Sequence, residues 1–144
     1  MKEKTLNLLG LMRRANALAV GETDTGAAAR AQTAKLLLLA QDASDNAVSR
    51  AKGFVYGRGI PMITLPFTKD ELSEKLGKNG CSMAAICDLG FADAFLKLIS
   101  ELTGDDMSEL KAQIAEKLQR EKQRKKESKA HEMNKRRGLR RNNA

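Results

Sequence analysis

Few groups in this chain can do covalent or metal chemistry, and they are scattered. The single histidine, His131, stands in a strongly basic segment near the C-terminal end. One imidazole without a second gives neither a metal pair nor a proton relay. Cys81 and Cys87 lie six residues apart in a segment that reads as a strand. At a strand's rise they stand about 20 Å apart, beyond disulfide or chelating reach, and read as reduced thiols. The carboxylates Glu22, Asp24, Asp42, Asp45 and Asp88 fall mostly at expected helix starts. Capping and the helix dipole account for them there. The loop Gly77-Lys78-Asn79-Gly80 lacks the full phosphate-loop spacing and the hydroxyl residue after its lysine. No enzyme, cofactor or metal is expected.

What remains is chemistry of binding. Val20-Gly21-Glu22 is a glycine turn that opens a helix, and such a turn presents unpaired backbone N–H groups to a phosphate or a polar base edge. Lys78, Asn79 and Gly80 end a neighbouring element and can stand beside it. A third candidate is the tail. Residues 1–104 carry 13 Lys and Arg against 11 Asp and Glu, a net +2, whereas residues 105–144 carry 13 against 7, a net +6. A near-neutral body with a basic tail points to a polyanionic partner, nucleic acid rather than membrane. Lys122, Arg124, Lys125, Lys126, Arg136 and Arg137 are its candidate phosphate contacts. Neutralising about six to eight phosphates would make affinity fall steeply with salt.

The elements that must position these groups follow from periodicity. Val20 to Asn46 reads as turn, small-residue helix, buried strand and the start of a further helix. The unbroken apolar run Lys35–Ala40 fits a strand covered on both faces. The small residues of Gly26–Ala31 allow close approach to a neighbour or a ligand and read as tight packing against the sheet. Before this segment, Thr5–Ala15 is an amphipathic helix with Leu8, Leu11 and Ala15 on one face, extended by Leu9 and Met12, and Leu18-Ala19-Val20 is a short strand.

After the central strand, Asp42 or Ser44 caps a helix to about Tyr56 whose buried side is Ala47, Val48, Ala51, Val55 and Phe54. Ile60–Leu65 is a strand with an early proline. Thr68 to Glu71 is a capping box for a helix ending at Leu76. Cys81–Cys87 is the last strand. Asp88 caps a helix over Gly90–Leu102 with Phe91, Phe95, Leu98 and Leu102 inward, closed by Gly104. The alternation predicts an α/β domain with helices on both faces of a small sheet, residues 1–104. Residues 105–144 form a basic C-terminal extension. Met107, Leu110, Ile114 and Leu118 make one narrow stripe there, and beyond it the pattern predicts a helix that frays into disorder. Met1–Leu11 is not patterned as a secretory leader, and no apolar run approaches the roughly 20 residues that span a bilayer. A cytoplasmic monomer is expected.

Several segments, in this order, carry a resemblance: Leu6–Leu11, Val20-Gly21-Glu22, Ala34–Ala40, Asp42–Asn46, Ile60-Pro61 and Asp88–Ala92. Together they resemble the ribosomal L-seven-Ae family of kink-turn RNA-binding proteins, in its small bacterial YlxQ-like branch. The resemblance runs from Leu6 to about Leu102 and leaves out the tail. It implies a three-layer α/β/α sandwich around a mixed four-stranded sheet, no enzyme activity, and RNA as ligand. It also implies an RNA grip made by Gly21 with Glu22, by Thr23, Asp24 and Ala27 on the following helix, and by Lys78, Asn79, Gly80, Cys81 and Ser82. This sequence departs from the pattern at three places. The family usually has an amide or lysine at Thr23, Glu or Gln at Asp24, and often lysine at Ala27. Asp24 keeps a carboxylate able to accept from a guanine edge.

The expected function is an RNA-binding accessory protein associated with the ribosome, with ribosomal or other structured RNA as partner and possible contacts to translation factors. The alternative is a protein-interaction module of the same fold, using the small-residue helix and the Met107–Leu118 stripe, that has lost kink-turn recognition.

Overall fold

A computed structural model of the chain describes residues 2–142, with side chains as far as Ala130, His131 and Met133. Six helices and four strands follow in the order α1 (Lys2–Arg14), β1 (Leu18–Val20), α2 (Glu22–Arg30), β2 (Leu36–Leu39), α3 (Asp45–Val55), β3 (Met62–Thr64), α4 (Lys69–Leu76), β4 (Met83–Ile86), α5 (Leu89–Thr103) and α6 (Ser108–Asn142). The strands form one mixed sheet, ordered β1-β4-β2-β3. β4 is antiparallel to both neighbours, with Ala85 opposite Ala19 and Ala84 opposite Leu38, while β2 and β3 run parallel with Leu38 opposite Ile63. This is the mixed four-stranded α/β sandwich that the sequence implied.

Both faces of the sheet are covered, as the Leu36–Leu39 run required. Leu36, Leu38, Ala84 and Ile86 join Leu9, Met12, Leu72, Phe95 and Ile99 in the larger core under α1, α4 and α5. Leu37, Leu39 and Met83 meet Ala47 and Ala51 of α3 on the opposite face, and Ala85 meets Ala28 of α2. The strands are shorter than the apolar runs that encode them.

Side-chain caps start three helices where expected. Ser44 Oγ accepts from the Ala47 N–H at 3.2 Å. The Thr68 box is complete, with Thr68 Oγ1 accepting from the Glu71 N–H and Glu71 Oε1 from the Thr68 N–H, each at 3.2 Å. Asp88 Oδ1 accepts from the Phe91 N–H at 2.9 Å.

Two helix faces differ from the expectation. In α1 the buried side is Thr5, Leu9 and Met12, and Leu11 is 47% exposed. Apolar residues at positions 6, 8, 9, 11 and 12 fill more than one face, so periodicity allowed two rotations. Polar contacts to α4, from Lys2 to Glu71 and from Lys75 to Asn7, accompany the one adopted. In α5 the fully packed side is Leu89, Ala92, Phe95, Leu96 and Ile99, whereas Phe91 and Leu102 are only partly buried and Leu98 is intermediate. α5 lies between the sheet and α6, so it is apolar on two sides.

Within the extension, α6 is helical over Ser108–Asn142, where the sequence pattern predicted a helix fraying into disorder. Ile114 is fully buried, and Met107, Leu110 and Leu118 pack against the same core. Beyond that stripe, ion pairs one turn apart line the surface, Glu116 with Arg120 at 2.5 Å and Glu121 with Lys125 at 3.3 Å. Such exposed pairs add about 0.3–0.5 kcal/mol each. The side chains of Arg136 and Arg137 lie outside those described.

Candidate nucleic-acid interface

α2 begins without a side-chain cap. Its N-cap is Gly21, at φ 89° and ψ 168°, a conformation that belongs to glycine. The backbone of Gly21 is tied on both sides. Its N–H donates to the Met83 carbonyl at 3.0 Å, and its own carbonyl accepts from Thr25 N–H at 2.9 Å. The turn is thereby fixed to the start of β4, and the first-turn N–H groups of α2 point along the helix axis toward solvent.

Lys78 arrives at this turn from the α4–β4 loop. Gly77, at φ 68°, ends α4, and the loop is anchored by Cys81 N–H donating to Ser73 Oγ at 3.1 Å and Ala40 N–H donating to the Ser82 carbonyl at 2.8 Å. Lys78 Nζ donates to the Val20 carbonyl at 2.9 Å and lies 3.9 Å from Asp24 Oδ2. It crosses Gly21 so closely that a Cβ there would sit 2.7 Å from Nζ and 2.8 Å from Cε. An ammonium thus stands beside the positive end of the α2 dipole. One carboxylate at salt-bridge distance and one carbonyl offset it only in part, and the remaining potential favours an anion.

The second carboxylate of the turn is neutralised elsewhere. Glu22 Oε1 accepts from Arg50 Nη1 of α3 at 2.5 Å. The two acidic residues beside the turn therefore both face cations.

The surface around this point is made by Thr23, Asp24 and Ala27, all exposed on one side of α2, and by exposed Asn79 and Gly80 with half-buried Lys78 and Ser82. Gly21 itself is covered. Cys81, expected among the contact residues, is 1% exposed, with its Sγ directed to the Met83 carbonyl at 3.5 Å. Burial pushes its thiol pKa up. Its side chain lies beneath the surface that a ligand would touch. The buried side of α2, Thr25, Gly26, Ala28 and Ala29, packs inward. A Cβ at Gly26 would lie 2.8 Å from the Phe54 ring, so the small residues serve close contact with α3.

Lys122, Arg124, Lys125 and Lys126 are exposed on α6. Three contributors escaped the sequence reading: Arg50, Ser73 and the Val20 carbonyl. Each acts across a gap in the chain that no local pattern spans. Among the described residues, no group of three or more His, Cys, Asp or Glu side chains could hold a metal ion, and no helix is long and apolar enough to cross a membrane.

No family model matches the chain. The chain is similar to the RNA-binding protein YlxQ of Enterococcus faecium, with 35% identity over 98 residues, covering 68% of this chain and 93% of that protein. It is also similar in structure to a protein of unknown function from Bacillus halodurans C, with a TM-score of 0.60 and 27% identity over 67% of this chain and 97% of that one. With the glycine turn, the Leu36–Leu39 strand and the Asp88 cap all in place, this relationship is enough to assign it: the chain belongs to the YlxQ-like branch of the ribosomal L-seven-Ae family.

Proposed function

We propose that this protein binds structured RNA of the kink-turn type, as a monomeric, non-catalytic accessory of the ribosome in the cytoplasm. Residues 1–104 would form the recognition domain and residues 105–144 an extension that adds phosphate contacts. One observation carries the reading. Lys78 is brought across the chain onto the Gly21 turn, so that a cation, unpaired helix N–H groups and the exposed residues Thr23, Asp24, Ala27 and Asn79 form one surface. The N–H groups suit a phosphate, and the Asp24 carboxylate can accept from a base edge. The name of the Enterococcus relative supports RNA as the ligand.

The test is binding of a kink-turn RNA and of the same RNA without its sheared G·A pairs. A clear preference for the intact motif is expected, and equal affinity would sink kink-turn recognition. Lys78→Met should weaken binding and reduce the salt slope by about 0.7–0.9, the share of one phosphate contact. The rival reading as a protein-interaction module is less supported: Gly26 of α2 packs on Phe54 of α3, Ala28 meets Ala85 of the sheet, and Ile114 is buried with Met107, Leu110 and Leu118 packed against the core.

A further inference from the structure

A second cationic surface lies at the other end of the sheet. β1 and β2 both run antiparallel to β4, so Gly21, just after β1, and Lys35, just before β2, stand at opposite ends. α2 leads from one to the other, a distance of about 13 Å for its nine residues. There a cleft of about 480 Å³ is lined by Lys35, Arg58, Lys117, Arg120 and Arg124, with Glu121 as its one carboxylate. The cations come from three separate stretches of chain, and small residues between them, such as Ala34, Gly57 and Gly59, leave room.

Two of these cations are held by neutral partners. Arg58 Nη1 donates to the Phe54 carbonyl at 3.1 Å, and Lys117 Nζ donates to the Gly59 carbonyl at 3.2 Å. Such contacts position the charge without cancelling it. Arg120 pairs with Glu116, and Glu121 is drawn toward Lys125. Lys35 and Arg124 have no ion-pair partner among the described residues. Guanidinium groups at fixed positions match phosphate oxygens well. From Arg124 the exposed Lys125 and Lys126 continue the charge along α6. A cleft that opens into a cationic track suits a linear polyanion better than a lone anion.

We propose that this cleft is a second phosphate-binding subsite for the same RNA, holding the backbone of a stem that leaves the element gripped at Gly21. This rests on the RNA-binding reading above and goes beyond it, because it joins Lys117, Arg120 and Arg124 of the tail and the body into one built site instead of a loose cationic arm. RNA is then held at both ends of α2.

The full-length chain decides the matter with two probes, a kink-turn RNA with minimal stems and the same RNA with one stem extended by about ten base pairs. The double variant Lys35→Glu, Arg58→Glu, both lining the cleft and neither part of the tail, should lose roughly tenfold or more on the extended RNA and lower its salt slope by about 2, at somewhat under one unit per phosphate. On this proposal the cleft meets only the extended stem, so binding of the short RNA should stay within about twofold. Unchanged affinity and slope on the extended RNA would overturn the subsite while leaving kink-turn recognition standing. An equal loss on both RNAs would also overturn it, since that is a general field effect. If the unsubstituted chain binds neither RNA, the subsite and the function on which it rests fall together. A readout independent of the variant's folding is the amide spectrum of the native chain. The extended RNA, but not the short one, should shift Ala34, Gly57 and Gly59, and identical spectra would refute the proposal.

Discussion

Lys78 places its ammonium 2.9 Å from the carbonyl oxygen of Val20, and its stem passes over the α-carbon of Gly21. The lysine is 58 residues away in sequence, yet it defines what the glycine turn can do. A side chain at position 21 would contest the space that Lys78 occupies. The absence of a Cβ therefore serves two ends, an unusual backbone conformation and a close cation.

These two ends separate in a substitution. Gly21→Ala should cost about 1–3 kcal/mol from backbone strain alone. The contact with Lys78 adds little to stability, since the lysine terminus can move aside. Adding Lys78→Ala should consequently leave most of the loss in place, as measured by chemical denaturation. RNA affinity should fall with either single change. Full recovery of stability in the double variant would show that crowding, and not φ, is what requires glycine.

Arg50 should matter to RNA binding without touching RNA. It holds Glu22 at 2.5 Å on the flank of the turn. Arg50→Ala would leave an unpaired carboxylate next to incoming phosphate. An exposed like-charge contact of this kind is worth about 1 kcal/mol, so affinity should drop roughly fivefold. Glu22→Gln in the same chain should restore it. A loss that persists in the double variant would mean that Arg50 contacts the RNA directly.

The parts of this structure that were legible in the sequence are those fixed by neighbours in the chain. Thr68 and Glu71 read as a capping box because the two partners are three residues apart. Leu36–Leu39 reads as a covered strand because both faces must be apolar at once. The rotation of α1 was not legible, because its apolar residues fill more than one side. The end of α2 near Ala31 was legible, but not the turn that closes it: Gln32 stands at φ 62°, in a conformation that glycine or asparagine would have announced. The charge balance of the site depends on Arg50 meeting Glu22 and on Lys78 meeting Val20 and Asp24. Those pairs join elements whose adjacency is a property of the finished sandwich. Sequence could name the turn and the loop but not the pairing that decides their charge.

The capping box carries a pH dependence. The Glu71 carboxyl is held below its ordinary pKa, first by its hydrogen bond with Lys2 and then by the Thr68 N–H. A depressed folded-state pKa gives stability that is fully present above the unfolded value, near 4.3, and is lost as pH falls through the folded one. The gap in Tm between the native chain and Glu71→Gln should be constant near neutrality and close progressively below about pH 5. The amide can still accept from Thr68, so the part that titrates reports mainly on Lys2. Lys2→Met should remove most of it. A gap independent of pH down to acid unfolding would rule out the ionic contribution.

Thr25 offers a gain of stability beside the site. Its side chain is fully buried in the first turns of α2, and its hydroxyl has no hydrogen-bond partner among the described residues. A buried hydroxyl without a partner costs about 1–3 kcal/mol in desolvation. Valine keeps the branched shape and replaces the hydroxyl by a methyl group. Thr25→Val should raise stability by about 1 kcal/mol, a few degrees in Tm for a chain of this size. Its neighbours Thr23, Asp24 and Ala27 face solvent while it faces inward, so RNA affinity should not change. A stabilised variant with weakened RNA binding would show that the threonine hydroxyl reaches the ligand side, and would enlarge the site by one buried residue.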